Sequence, residues 1–167
     1  MKDETILYEI IDKCKDIYFK EKFPFALLWL IKDNKLLNNA PIVLLLEETP
    51  QRIKTFLTIK KHLKTNDISE YIISTNEGAI IPINQSRKNS KLNSYKDINK
   101  QTFLDNSIEK GFRKSKALIF YCITPEENKM IILPYQITDP YYNTTEVEAQ
   151  IIQKLEKTEG GLIFNLN

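Results

Sequence analysis

Histidine is nearly missing from this chain: there is one, His62, in 167 residues. Cysteine and glycine are scarce too, with two and four. Each shortage removes a class of chemistry. A metal centre needs several His, Cys or carboxylate ligands at workable spacing, and Cys14 and Cys122 match no such pattern. A nucleophilic triad would have to use His62, which sits among Lys60, Lys61 and Lys64 with no carboxylate beside it to orient the ring. Phosphate-cradling loops need grouped glycines. Gly78, Gly111, Gly160 and Gly161 form neither a Walker nor a dinucleotide fingerprint. No cofactor and no metal are therefore expected. Two widely separated cysteines suit free thiols in a reducing cytoplasm, each buried as a small hydrophobe.

Long apolar runs are also lacking. The longest, Phe23 to Ile31, contains Pro24 and is about half the length that a bilayer span requires. The opening Met1-Lys2-Asp3-Glu4-Thr5 is interrupted by acids where a secretion signal would be apolar. A cytoplasmic protein with no membrane partner is the expectation. The formal net charge is only +2, too small to demand a polyanionic partner for the whole molecule.

What remains is an ordinary globular composition, 42% hydrophobic and 28% charged. The length fits a single domain spanning residues 1–167. Glu4 to Glu21 reads as a helix, because Ile6, Leu7, Ile10, Ile11, Cys14, Ile17 and Tyr18 recur at spacings of three and four. Phe25 to Ile31 and Ile42 to Leu46 read as buried strands forming an antiparallel pair, with a turn at Asp33-Asn34-Lys35. Thr49-Pro50 starts a second helix with Ile53, Phe56, Leu57, Ile59 and Leu63 on its apolar face. Ile68 to Ser74 and Ala79 to Ile83 read as two strands separated at Gly78, the second an edge or bulged strand because of Pro82. Ala117 to Ile123 and Met130 to Tyr135 form a hairpin. A last helix is expected from Thr144 or Thr145 to Gly160, with Val147, Ile151, Ile152 and Leu155 as its apolar face, and Leu162 to Leu166 as a closing strand. The fold class that follows is α+β: an antiparallel or mixed sheet of about six strands with helices packed on one face.

Four short segments resemble a small bacterial α+β family of unknown function. They are Pro24-Phe25-Ala26, the turn Asp33-Asn34, Leu133-Pro134-Tyr135 and Gly161-Leu162-Ile163-Phe164. The resemblance covers roughly residues 24 to 166, and the N-terminal helix and a basic insert depart from it. It implies an α+β fold and carries neither an activity nor site residues.

That insert is the only charge asymmetry. Asn84 to Lys116 holds nine basic residues against three acidic ones. Arg87, Lys88, Lys91 and Lys96 lead it, and a short helix around Phe103 to Phe112 follows. Clustered cations suit an acidic protein surface or nucleic-acid phosphates, and equally a solvated loop. The Pro140-Tyr141-Tyr142 run is a second candidate contact, since tyrosine is enriched at interfaces. Glu47-Glu48, between a buried strand and a helix, stand either as site groups or as favourable charges at the helix N-terminus. Glu126-Glu127 reads as a turn, and Glu146 with Glu148 as a helix start. The functional expectation is a non-catalytic protein-binding module of the immunity, adaptor or inhibitor kind, contacting its partner through Arg87, Lys88, Lys91, Lys96, Tyr141 and Tyr142. Nucleic-acid association through the insert is the alternative. An enzyme with Glu47, Glu48 or Tyr135 in a pocket is the third reading.

Overall fold

The computed structural model describes residues 4–44, 50–82, 111–139, 141 and 144–155. Strands β1 (Ala26–Lys32), β2 (Lys35–Leu36), β3 (Ile42–Leu44), β4 (Glu70–Pro82), β5 (Phe112–Ile123), β6 (Asn128–Asp139), β7 (Thr144–Val147) and β8 (Ile151–Leu155) form one sheet. Every pairing in it is antiparallel. The sheet has eight strands where about six are expected, but only six rows. β2 and β3 lie in line beside β1, and β7 and β8 lie in line beside β6.

Two side chains explain why those border rows are split. On one border, Asn38 stands in for a strand. Its Oδ1 accepts the Leu30 N–H at 2.8 Å and its Nδ2 donates to the Leu28 carbonyl at 3.2 Å. On the other border the break falls beside Pro134. The Pro134 carbonyl accepts the Glu148 N–H at 2.8 Å. In an antiparallel ladder a residue's N and O point to the same side, so the missing proline N–H also faces the break and no ladder bond is lost. That is how a proline sits inside an interior strand, where it is normally excluded.

The helices cover opposite faces, not one. Alternation along β1 sends Ala26, Leu28 and Leu30 to one side and Leu27, Trp29 and Ile31 to the other. The first set shares a core with Phe56, Ile59 and Leu63 of α2 (Pro50–Thr65). The second shares a core with Ile6, Leu7, Ile10, Ile11 and Cys14 of α1 (Glu4–Lys15). Placing helices on both faces of the sheet lets its interior strands carry unbroken apolar runs, as β1 does from Ala26 to Ile31. On α2 the buried stripe runs Arg52, Phe56, Ile59, Leu63, at spacings of four, three and four. Ile53 and Leu57, expected on it, lie to the side and are exposed.

Three further expectations change. Gly78 does not separate two strands: β4 runs through it, with Gly78 opposite Lys116. Pro82 is the last residue of β4, and the stretch Ala79 to Pro82 pairs with β5 alone among the described residues, in keeping with the expected edge position. The helix expected after Thr144 is replaced by β7 and β8. Ile151, Gln153 and Leu155 point inward while Ile152 and Lys154 point outward, a period of two that the apolar spacing of Ile151, Ile152 and Leu155 disguised. The insert ends earlier than its charge suggests, because Phe112 to Lys116 belong to β5. The rest of the insert, the helix around Phe103, and Leu162 to Leu166 lie outside the described residues.

Candidate binding cleft

The α1 helix does not stop at Lys15. It widens into a π-helical turn, Asp16–Lys20, a form that recurs where a side chain must be re-aimed. Tyr18 sits in that turn and continues the α1 apolar stripe into the core. Its hydroxyl lies 2.9 Å from the Ser74 carbonyl and 3.0 Å from the Phe25 carbonyl. The Ser74 Oγ is the hub of this buried group. It accepts the Trp29 Nε1–H at 3.0 Å and the Cys14 thiol at 3.3 Å. Burial pushes the Cys14 thiol up to about 12, although its hydrogen bonds to Ser74 and Trp29 oppose the shift. Burial likewise raises the Tyr18 phenol. Both stay protonated at neutral pH, so the cluster acts as a rivet joining the π-turn, β1 and β4.

Beside the rivet the sheet outruns its helix. Asn76 of β4, Lys116 of β5 and Tyr135 of β6 lie on the α1 face by strand alternation, beyond the part that α1 covers. The π-turn and the segment to Pro24 wall this area, leaving a cleft of about 480 Å³ lined by Tyr18, Phe19, Lys22, Phe23, Pro24, Asn76, Lys116, Tyr135, Ile137 and Thr145. The Phe19 ring rests on Tyr135, with centroids 4.6 Å apart and planes tilted by 60°. Phe23 meets Phe25 edge-on at 5.4 Å. The Tyr135 hydroxyl donates to Asn76 Oδ1 at 2.7 Å. Desolvation raises the Tyr135 phenol, and the Asn76 bond only partly offsets this. Lys22 has a left-handed backbone, φ 52°, which costs a residue with a Cβ about 1–2 kcal/mol. Glycine would serve that turn better; lysine puts a cation on the cleft.

The cleft's charge is one-sided. Lys22 and Lys116 are both exposed, and no carboxylate is among the described lining residues. A smaller pocket lined by Arg113, Gln136, Glu146 and Glu148 carries both signs of charge, two carboxylates against one guanidinium. There Arg113 pairs with Glu148, which also accepts from Gln136 at 3.1 Å.

Of the residues expected from sequence, the cleft gathers only Lys116, from the end of the basic insert, and Tyr135. Arg87, Lys88, Lys91, Lys96, Tyr142, Glu47 and Glu48 lie outside the described residues. Tyr141 is 87% exposed, and its N–H bonds Asp139 Oδ1. It does not line the cleft. His62 is on the exposed side of α2, with Asn66 Nδ2 3.2 Å from its ring. Glu126 and Glu127 occupy a turn closed by Thr124. Glu146 and Glu148 belong to the β7 border rather than to a helix start. Phe19, Lys22, Phe23 and Asn76 carried no sequence signal, because only the fold sets the π-turn and the segment after it against Asn76 of β4. Among the described residues no helix is long and apolar enough to cross a membrane. No protein-family model, curated protein or solved structure matches the chain.

Proposed function

We propose that this protein is a non-catalytic protein-binding module, of the immunity, adaptor or inhibitor kind, and that the cleft beside the π-turn is where its partner docks. The observation that carries the reading is the cleft's make-up: two exposed lysines with no carboxylate among the described lining residues, next to aromatic rings fixed by the core. Cations of this kind raise encounter rates with an acidic surface and make affinity salt-sensitive, while aromatic rings supply the contact area that anchors interfaces. Among the described residues the lining holds no thiol, imidazole or carboxylate, and its phenols are held protonated, which suits holding a partner rather than transforming one. Cytoplasmic residence belongs to the same proposal, because Cys14 and Cys122 are free buried thiols, as a reducing compartment keeps them.

The test is capture from host lysate by the full chain, at low and high salt, with and without nuclease, beside the charge reversals Lys22→Glu and Lys116→Glu. The expected result is a stoichiometric protein that survives nuclease and is lost with either reversal. Recovery of nucleic acid alone, released by salt, would replace this reading with the nucleic-acid one.

A further inference from the structure

The cleft is rich in donors and poor in acceptors. Lys22 and Lys116 each bring an ammonium group to it, and neither has an ion-pair partner among the described residues. Asn76 Oδ1 is occupied by the Tyr135 hydroxyl, which leaves the Asn76 Nδ2 hydrogens as unused donors and the Tyr135 proton already committed. A site with spare donors selects a group that only accepts, and an ionised carboxylate is such a group. No guanidinium is among the described residues that line the cleft, so the planar two-pronged geometry that favours phosphate recognition is not built by them. The half-buried Phe19 and Phe23 add ring surface next to the cations. The volume, about 480 Å³, lies within the span of about 300–1,000 Å³ typical of sites that enclose one compact ligand.

Resting on the binding-module reading, we infer that the cleft receives an internal partner segment in which an Asp or Glu side chain adjoins an aromatic one. The carboxylate lies between Lys22, Lys116 and the Asn76 amide, and the aromatic ring lies against Phe19 and Phe23. The positive charge is carried on two long side chains, which can meet a carboxylate projecting from a continuing chain. Phe19 is the aromatic contact residue in this arrangement: its packing on Tyr135 fixes the ring against which the partner's ring rests.

The probe is a blocked tetrapeptide, acetyl-Gly-Phe-Asp-Gly-amide, titrated into the full chain and followed by NMR, beside a twin with Asn in place of Asp. Expected are saturable shifts at Phe19, Lys22, Asn76 and Tyr135, and binding weakened about tenfold by the Asn twin, by Lys116→Gln or by high salt. Phe19→Leu, which keeps apolar bulk, weakens both peptides alike. Thermal melts confirm that the variants fold. Equal binding of the two peptides, shifts confined to other surfaces, or no binding at all overturns the inference. So does tighter binding of a phosphotyrosine peptide, or of the same peptide bearing a free C-terminal carboxylate. If neither peptide binds while wild type and Lys116→Gln capture the same protein equally, the cleft's ligand is wrong and the module reading survives. If the Asp peptide binds selectively and lysate yields no protein partner, the ligand chemistry stands and the module reading falls.

Discussion

Replacing Ser74 with alanine removes one oxygen from the centre of the rivet. Ser74 and Trp29 are both 0% exposed, so water cannot take over the indole N–H that Ser74 Oγ now accepts at 3.0 Å. A buried donor left without a partner costs about 1–3 kcal/mol. The Cys14 thiol is a weak donor and adds little. The space vacated is smaller than a water molecule, so solvent cannot refill it. Ser74→Ala is therefore expected to lose about 2–3 kcal/mol, which lowers Tm by about 4–10 °C for a domain of this size. Urea titration followed by far-UV circular dichroism gives the loss, and an unchanged m-value confirms that it is a loss of stability. A double-mutant cycle isolates the bond. Trp29→Phe deletes the donor, so Ser74→Ala costs about 1–2 kcal/mol less in that background. A loss below about 0.5 kcal/mol, or strictly additive effects, would refute the claim that this hydrogen bond holds the π-turn's anchor together.

Two other expectations follow from buried polar and titratable groups. Asn38→Ala strips partners from the Leu30 N–H and the Leu28 carbonyl; it should cost about 1–3 kcal/mol in chemical denaturation and speed amide exchange at Leu30. Stability should also fall in alkali. Cys14 and Cys122 are each raised by burial from 9.0 to about 12. Between those values the folded chain keeps protons that the unfolded chain has released, so stability is full below pH 9 and declines as pH rises toward 12. The slope is at most about 1.4 kcal/mol per pH unit for each thiol. The raised Tyr18 phenol adds to the decline above pH 10.0. Cys122→Ala should make the decline between pH 9 and 10 shallower, whatever it does to stability at pH 7; an unchanged slope would rule the thiol out as its source.

Where one period dominated, the chain was readable. The α1 stripe, β1, the start of α2 at Pro50 and the β5–β6 hairpin all appear where residue spacing puts them; β3 does too, but as a partly exposed border strand with Val43 outward rather than the buried strand expected. Misreadings arose where a local signal had two meanings. Gly78 resembles a turn residue, yet a Cβ there would meet only the Ser115 carbonyl at 4.0 Å, so the backbone asks nothing of it that requires glycine. Ile151, Ile152 and Leu155 fit a helix stripe as well as a strand with one outward isoleucine, and the open border of β6 decided between them. The π-turn left no mark, because Tyr18 keeps the helical spacing of α1 and only its bonds to β4 and the Phe25 carbonyl distinguish it. Most of the cleft was illegible for a different reason. Asn76, Lys116 and Tyr135 become neighbours through strand order and Phe19 joins them through the packing of the π-turn, and a search for motifs favours residues that are close in sequence.

The split borders bear on how this protein behaves in a crowded solution. Its most adhesive strands, β1 and β5, lie inside the sheet, bonded on both sides. The strands of the two border rows are between two and five residues long, and the longer stretch unflanked among the described residues, Thr75 to Pro82 of β4, ends in a proline. An incoming chain seeking to extend the sheet meets a short ladder that is broken at Asn38 on one border and opposite Pro134 on the other. Interrupted edges of this sort are how β-proteins avoid recruiting copies of themselves. Asn38 and Pro134 thus help keep the molecule from growing into filaments, and replacing them would remove that safeguard even in a chain that still folds.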